Sequence, residues 1–155
     1  MKFLKLSPNK ITPEQFGQMV SIEENCGLTP YTPQMLRECV ETMDTYAYMD
    51  GETMAGFITV YASARHLGGG IYIVNLNVAG KYRRQGIGEN LIRIACGQYK
   101  NTHRGALITL DVEKANFPAR SLYQKLGFRE TDLPSSNGDT DIVMVKLLDE
   151  LRGRK

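Results

Sequence analysis

Val78-Ala79-Gly80-Lys81-Tyr82-Arg83-Arg84-Gln85-Gly86-Ile87-Gly88-Glu89 is the most informative stretch of this 155-residue chain. An apolar segment ends, basic side chains gather, and two glycines open a helix whose buried face is marked by Leu91, Ile92, Ala95, Cys96 and Tyr99. The first amides of a helix lack intrahelical acceptors and its peptide dipoles point positive, so a turn of this kind suits phosphate. Glycine lets the main chain approach the anion without a Cβ in the way. Taken alone, the Gly-x-Gly is equally served by a loop that only joins a strand to a helix. Neither common nucleotide loop fits, because Gly-x-Gly-x-x-Gly fails at Leu91 and no Gly-Lys-Ser/Thr follows.

Upstream, Ile71 to Val78 reads as the strand that feeds this turn. Tyr46 to Met49 and Ala55 to Ala64 flank an Asp50-Gly51 turn, and Gly68-Gly69-Gly70 leads into Ile71, which predicts three consecutive antiparallel strands. Lys2 to Leu6 alternates as a short strand does. Thr12-Pro13 and Thr32-Pro33 each supply an N-cap and a first-turn proline, and Gln15 completes a capping box. Phe16, Met19, Val20 and Glu23 follow at helical spacing with Gly27 as the stop; the second helix carries Met35, Leu36, Cys39 and Val40. Downstream come a strand over Ala106 to Val112, a helix over Pro118 to Leu126 stopped by Gly127, and closing strands Phe128 to Asp132 and Ile142 to Leu147 around a polar loop. The order β-α-α-β-β-β-α-β-α-β-β predicts an α+β fold, a mixed and mostly antiparallel central sheet flanked by helices, in one domain over residues 1–155.

Composition narrows the class. With 42% apolar and 23% charged residues, the chain is neither disordered nor a disulfide scaffold. A net charge of +2 is too small for a protein built to neutralise a nucleic-acid backbone, so no nucleic-acid partner is expected. Cys26, Cys39 and Cys96 are odd in number and lack Cys-x-x-Cys spacing, which predicts a reducing, cytoplasmic setting and no metal site. No run of about 18 apolar residues occurs, so no membrane span is expected. His66 and His103 fall in turns without a partner constellation.

A second block reads Leu110-Asp111-Val112-Glu113-Lys114-Ala115-Asn116-Phe117-Pro118-Ala119-Arg120-Ser121-Leu122-Tyr123-Gln124-Lys125-Leu126-Gly127-Phe128-Arg129. Together with Arg83-x-x-Gly86-x-Gly88 after a strand, it resembles the two signatures of the GNAT superfamily of N-acetyltransferases. The resemblance covers Ile71 to Arg129 and implies acetyl-coenzyme A as cosubstrate, with no metal. It implies a pyrophosphate on the amides of Arg84, Gln85, Gly86, Ile87, Gly88 and Glu89, with Arg83 adding charge beside the coenzyme, and a pantetheine arm along the main chain of Leu76, Asn77 and Val78, where the Leu76 and Val78 side chains also serve as core. Asn116 matches a coenzyme-contacting position, or caps its helix.

Direct transfer to an amine also needs a stabilised leaving thiolate and an amine without its proton. The resemblance assigns the first to Tyr123, whose alternative is a core tyrosine. A phenol near 10 against a thiol near 8.5 makes full proton transfer uphill by roughly 2 kcal/mol, so a hydrogen bond to the thiolate describes the role better than a general acid does. Asp111 stands where the ribosomal-protein N-terminal alanine acetyltransferase branch carries a Glu; it is the candidate base, acting through water, or a solvated strand-end carboxylate. Asn75 and Asn77 cannot be bases and either orient a water or the amine, or satisfy local polar groups. Ile22-Glu23-Glu24 and Tyr48 to Phe57 also look like that branch, which tilts the acceptor toward a peptide N-terminus. A small amine such as a polyamine, an amino acid or an aminoglycoside, and a non-catalytic acetyl-coenzyme A sensor, are the alternatives. A monomer or homodimer is expected.

Overall fold

The structure, a computed structural model, describes residues 1–26, 29–63 and 70–151. Its elements are β1 (Lys2–Leu6), α1 (Pro13–Glu24), α2 (Pro33–Thr42), β2 (Asp44–Asp50), β3 (Thr53–Ala62), β4 (Ile71–Val78), α3 (Ile87–Gly97), β5 (Leu107–Glu113), α4 (Phe117–Lys125), β6 (Arg129–Glu130) and β7 (Asp141–Leu147). This is the predicted α+β order. The chain forms two compact units, Met1–Tyr61 with Asn75–Ala95, and Ala62–Val74 with Cys96–Lys155.

In the first unit the strand order is β1-β2-β3-β4. β1 runs antiparallel to β2, with Lys2 opposite Met49, and β2 antiparallel to β3, with Asp44 opposite Val60. The capping box forms as the sequence predicts: Gln15 N donates to Thr12 Oγ1 at 3.1 Å and Thr12 N to Gln15 Oε1 at 2.9 Å. α1 stops at Glu24 with Asn25 as its cap; the expected stop at Gly27 lies outside the described residues, as do Ala64, His66, Gly68 and Gly69. Gln18 fastens α1 to the β2–β3 turn, its amide donating to Glu52 O at 3.1 Å and accepting from Met54 N at 2.7 Å. Met19, Ile22, Leu36, Val40, Ala47, Met49 and Phe57 then close one core between α1, α2 and the strands. Each of these side chains but Ala47, which contributes less, is worth about 1.5–3 kcal/mol by leaving water.

In the second unit the order is β4-β5-β7-β6. The parallel ladder of β4 and β5 pairs Ile71 with Ile108 and ends at Ile73 with Leu110, while β5 and β7 run antiparallel from Leu107 opposite Leu147 to Glu113 opposite Asp141. The expected strand over Phe128 to Asp132 shrinks to Arg129–Glu130. Gly127 takes φ +93° and Phe128 N turns back to Tyr123 O at 2.9 Å, while past the strand Leu133 N bonds the Thr131 hydroxyl at 3.2 Å ahead of Pro134. Local bonds at both ends thus withdraw amides from the ladder.

Candidate active site

In the first unit, β4 ends at Val78 and a 3-10 turn over Gly80–Tyr82 carries the chain to α3. Two bonds fix that path: Ala79 N donates to Ala55 O at 2.8 Å, and Tyr82 Oη donates to Asp50 Oδ2 at 2.8 Å. The Asp50 partner holds the Tyr82 phenol above its ordinary range. Arg84 at φ +63° and Gly86 at φ +77° then take left-handed conformations. Arg84 is the only non-glycine residue with positive φ among the described residues; such a conformation costs about 1–3 kcal/mol and is characteristic of ligand-binding turns. The first helical bond of α3 runs from Asn90 N to Gly86 O at 3.1 Å, so the amides of Ile87, Gly88 and Glu89 precede the helical ladder. Left-handed turns followed by free helix amides form an anion-binding concavity.

The basic side chains of this turn are not equivalent. Arg83 Nε donates to Val78 O at 3.1 Å and Nη2 to Asn25 O at 3.4 Å, so its guanidinium clasps the end of β4 and the cap of α1. Gln85 Nε2 donates to Lys81 O at 3.2 Å, and Glu89 pairs with Arg93 one helical turn on. Lys81 Nζ lies 5.1 Å from the centre of the Tyr82 ring, and Arg84 is exposed with no side-chain partner among the described residues, which leaves its charge available to a phosphate. Leu76, Asn77 and Val78 are half-buried, beyond the stretch of β4 paired with β5. Gly56 admits this strand closely, since a Cβ there would lie 2.7 Å from Asn77 O.

Sequence reasoning left Glu23 without a chemical role. It is 3% exposed, and its carboxylate accepts from Asn77 Nδ2 at 2.8 Å, Tyr31 N at 3.1 Å and Cys26 Sγ at 3.3 Å. Burial, with this carboxylate alongside, pushes the Cys26 thiol up to about 11. The signal was present, because Glu23 continues the apolar spacing of Phe16, Met19 and Val20. Asn75 differs from Asn77: both of its side-chain polar atoms are buried and have no hydrogen-bond partner.

In the second unit, Asp111 is half-buried on β5 and its Oδ2 accepts from Tyr72 Oη at 2.8 Å. The pairing follows from register: Tyr72 lies opposite Thr109, and Asp111 is two residues further along the same face. Tyr72 was not singled out from sequence, because a parallel register between distant strands leaves no local mark. Tyr123 is 8% exposed on α4, packs edge-on to Phe128 at 5.8 Å, and makes no side-chain hydrogen bond among the described residues. Burial pushes its phenol up to about 12. Asn116 caps α4, its Oδ1 accepting from Ala119 N at 3.2 Å. Among the described residues no group of three or more His, Cys, Asp or Glu side chains is arranged to hold a metal ion, and no helix is long and apolar enough to cross a membrane.

The same architecture recurs in known proteins. An aminoglycoside 6'-N-acetyltransferase complexed with coenzyme A superposes with a TM-score of 0.76 at 18% identity, over 100% of this chain and 99% of its own. A ribosomal-protein alanine N-acetyltransferase from Escherichia coli does so with a TM-score of 0.72 at 19% identity, over 95% and 94%. In sequence, an N-alpha-acetyltransferase of Saccharolobus solfataricus is 36% identical over 59 residues, which are 38% of this chain and 35% of the relative. The matched stretch thus spans about a third of that relative's length. Residues 16–128 match the Acetyltransferase (GNAT) family, which takes in the first signature block and all of the second but Arg129, and the chain is a member of that family of transferases.

Proposed function

We propose that the chain transfers an acetyl group from acetyl-coenzyme A directly to a primary amine, and that the amine is the α-amine of a peptide N-terminus. The observation that carries the reading is the left-handed Arg84–Gly86 turn at the start of α3, with the Ile87, Gly88 and Glu89 amides ahead of the helical ladder. These groups fit a pyrophosphate, with the exposed Arg84 adding charge. The main chain of Leu76, Asn77 and Val78 would hold the pantetheine arm as an added strand. Acetyl-coenzyme A supplies the activated acyl group. An amide near Val78 would hold the thioester oxygen as charge develops on it.

Asp111 would take the amine's proton through water, with Tyr72 fixing its carboxylate. Asn116, with its oxygen spent on the helix cap, has its amide NH2 left to offer the coenzyme. Tyr123 would donate a hydrogen bond to the leaving thiolate. A phenol near 12 facing a thiol near 8.5 makes full proton transfer uphill by about 5 kcal/mol, which favours the hydrogen-bond description over a general acid. The likeness to an N-alpha-acetyltransferase over 59 residues supports a peptide acceptor.

A second reading, a small cationic amine as acceptor, is favoured by a cavity of about 650 Å³ in the second unit lined by Glu130, Asp132, Asp139 and Asp141 beside Lys114. Glu130 is held by Arg120 at 2.7 Å, and the three aspartates suit a polycation. Steady-state kinetics with peptides beginning Ala, Ser or Met, alongside spermidine and an aminoglycoside, separate the two: a kcat/KM at least tenfold higher on a peptide supports the first reading, and the reverse order overturns it.

A further inference from the structure

A buried carboxylate is costly unless its lone pairs are filled. Glu23 takes part in none of the ion pairs among the described residues, yet three donors converge on it: Asn77 Nδ2, Tyr31 N and Cys26 Sγ at 2.8, 3.1 and 3.3 Å. A carboxylate can only accept, so the NH2 of Asn77 must face Glu23 and its Oδ1 must face away. The opposite flip would set two acceptors against each other. Asn77 Oδ1 accepts from no group among the described residues and is not a buried atom, so it remains available to a ligand. Asn77 lies on the part of β4 to which the acetyl-transfer reading assigns the coenzyme arm, and on that reading the present inference rests.

We propose that Glu23 is a positioning residue for the acceptor amine: by holding Asn77 Nδ2 it aims Asn77 Oδ1 at the amine N–H, while Tyr31 N and Cys26 Sγ hold the Glu23 carboxylate itself in place. The arrangement suits a nucleophilic amine. A carboxylate in direct contact would hold the amine as its ammonium form, which cannot attack, whereas a neutral amide oxygen accepts an N–H while favouring the charged state far less. The charge of Glu23 is kept one residue back, shared among three donors.

The test is a double-mutant cycle of Glu23→Gln and Asn77→Ala, read as KM for a peptide amine, kcat, and acetyl-coenzyme A affinity by calorimetry, with thermal melts confirming folding. Each single variant should raise the amine KM about tenfold, the worth of one well-aimed hydrogen bond, and change coenzyme affinity less than twofold. In the Asn77→Ala background, Glu23→Gln should add less than a twofold further change, because Glu23 acts through Asn77. Effects that multiply independently, or a rise in coenzyme dissociation constant matching the rise in amine KM, would show a merely structural role and overturn the inference. If Glu23→Gln does not fold, Asn77→Ala alone decides, and an unchanged amine KM overturns it. A wild-type protein that turns over no amine defeats the acetyl-transfer reading and the inference with it; turnover with an additive cycle defeats the inference only.

Discussion

Gly56→Ala probes the approach of β3 to β4 with a single methyl group. The added Cβ would lie 2.7 Å from Asn77 O, 3.3 Å from Val78 Cα and 3.4 Å from Leu91 Cδ1. Two of these neighbours are main chain and cannot swing aside as a flexible side chain does. Restoring an ordinary carbon–oxygen contact of about 3.3 Å requires a displacement of about 0.6 Å at Asn77. Overpacking of this kind costs about 1–3 kcal/mol, and at about 2–4 °C per kcal/mol for a chain of this size Tm should fall by about 2–12 °C. The displaced segment is the one assigned to the pantetheine arm, so loss of one main-chain hydrogen bond there should raise the acetyl-coenzyme A dissociation constant about five- to tenfold. Gly17→Ala is the control, since α1 leaves open space around that position; the same methyl in an exposed helix interior should stabilise by about 0.5–1 kcal/mol. Thermal melts and calorimetric coenzyme titrations of both variants provide the assay. A Gly56→Ala protein with wild-type Tm and wild-type coenzyme affinity would refute the reasoning.

Tyr123→Phe should lower kcat about 10²-fold with coenzyme affinity unchanged, and an unchanged kcat in single-turnover kinetics would remove Tyr123 from the chemistry. The same phenol, moved by burial from 10.0 to about 12, stays protonated in the folded chain after it ionises in the unfolded one. Its contribution is therefore complete below about pH 10 and lost as pH rises through about 12, amounting to about 3 kcal/mol; denaturant melts of Tyr123→Phe should show a flatter alkaline decline than wild type. Asn75→Leu replaces two unpaired buried polar atoms with an apolar group of similar size and should raise stability by about 1–3 kcal/mol; a lower Tm would mean that the amide is satisfied in solution. With its thiol held at about 11, Cys26 should react with iodoacetamide at pH 8 about a hundredfold more slowly than an unperturbed thiol; an ordinary rate, read by mass spectrometry, would show that neither its burial nor its Glu23 contact persists.

Features encoded by neighbours in sequence were legible from it. The Thr12–Gln15 capping box, the Thr32-Pro33 start and the strand–turn–helix around Arg83 to Glu89 depend on residues within a few positions of one another, and all form. β6 was overestimated because apolar periodicity does not register the competition from Gly127, the Thr131 hydroxyl and Pro134. Arg83 illustrates the limit for side-chain placement: from sequence it is one of three equivalent basic side chains in this turn, yet its guanidinium clasps Val78 O and Asn25 O. The latter carbonyl is 58 residues away in sequence, and no spacing rule reveals it. The Tyr72–Asp111 and Asn77–Glu23 bonds, 39 and 54 residues apart, were hidden for the same reason. Glu23 alone carried a hint, an acid on the apolar face of its helix, which marks burial but does not name the partner.

In the proposed function the turn opening α3 binds acetyl-coenzyme A for transfer of its acetyl group to an amine. The most direct measurement is release of free coenzyme A thiol from acetyl-coenzyme A by the purified chain, with and without peptides beginning Ala, Ser or Met and a set of small amines, each acetylated product being identified by mass. Thiol release should depend on the amine, be matched one for one by an acetylated amine, and be lost together with coenzyme binding when Gly86 and Gly88 are both replaced by Val. Tight coenzyme binding with no amine-dependent release across the panel would contradict it.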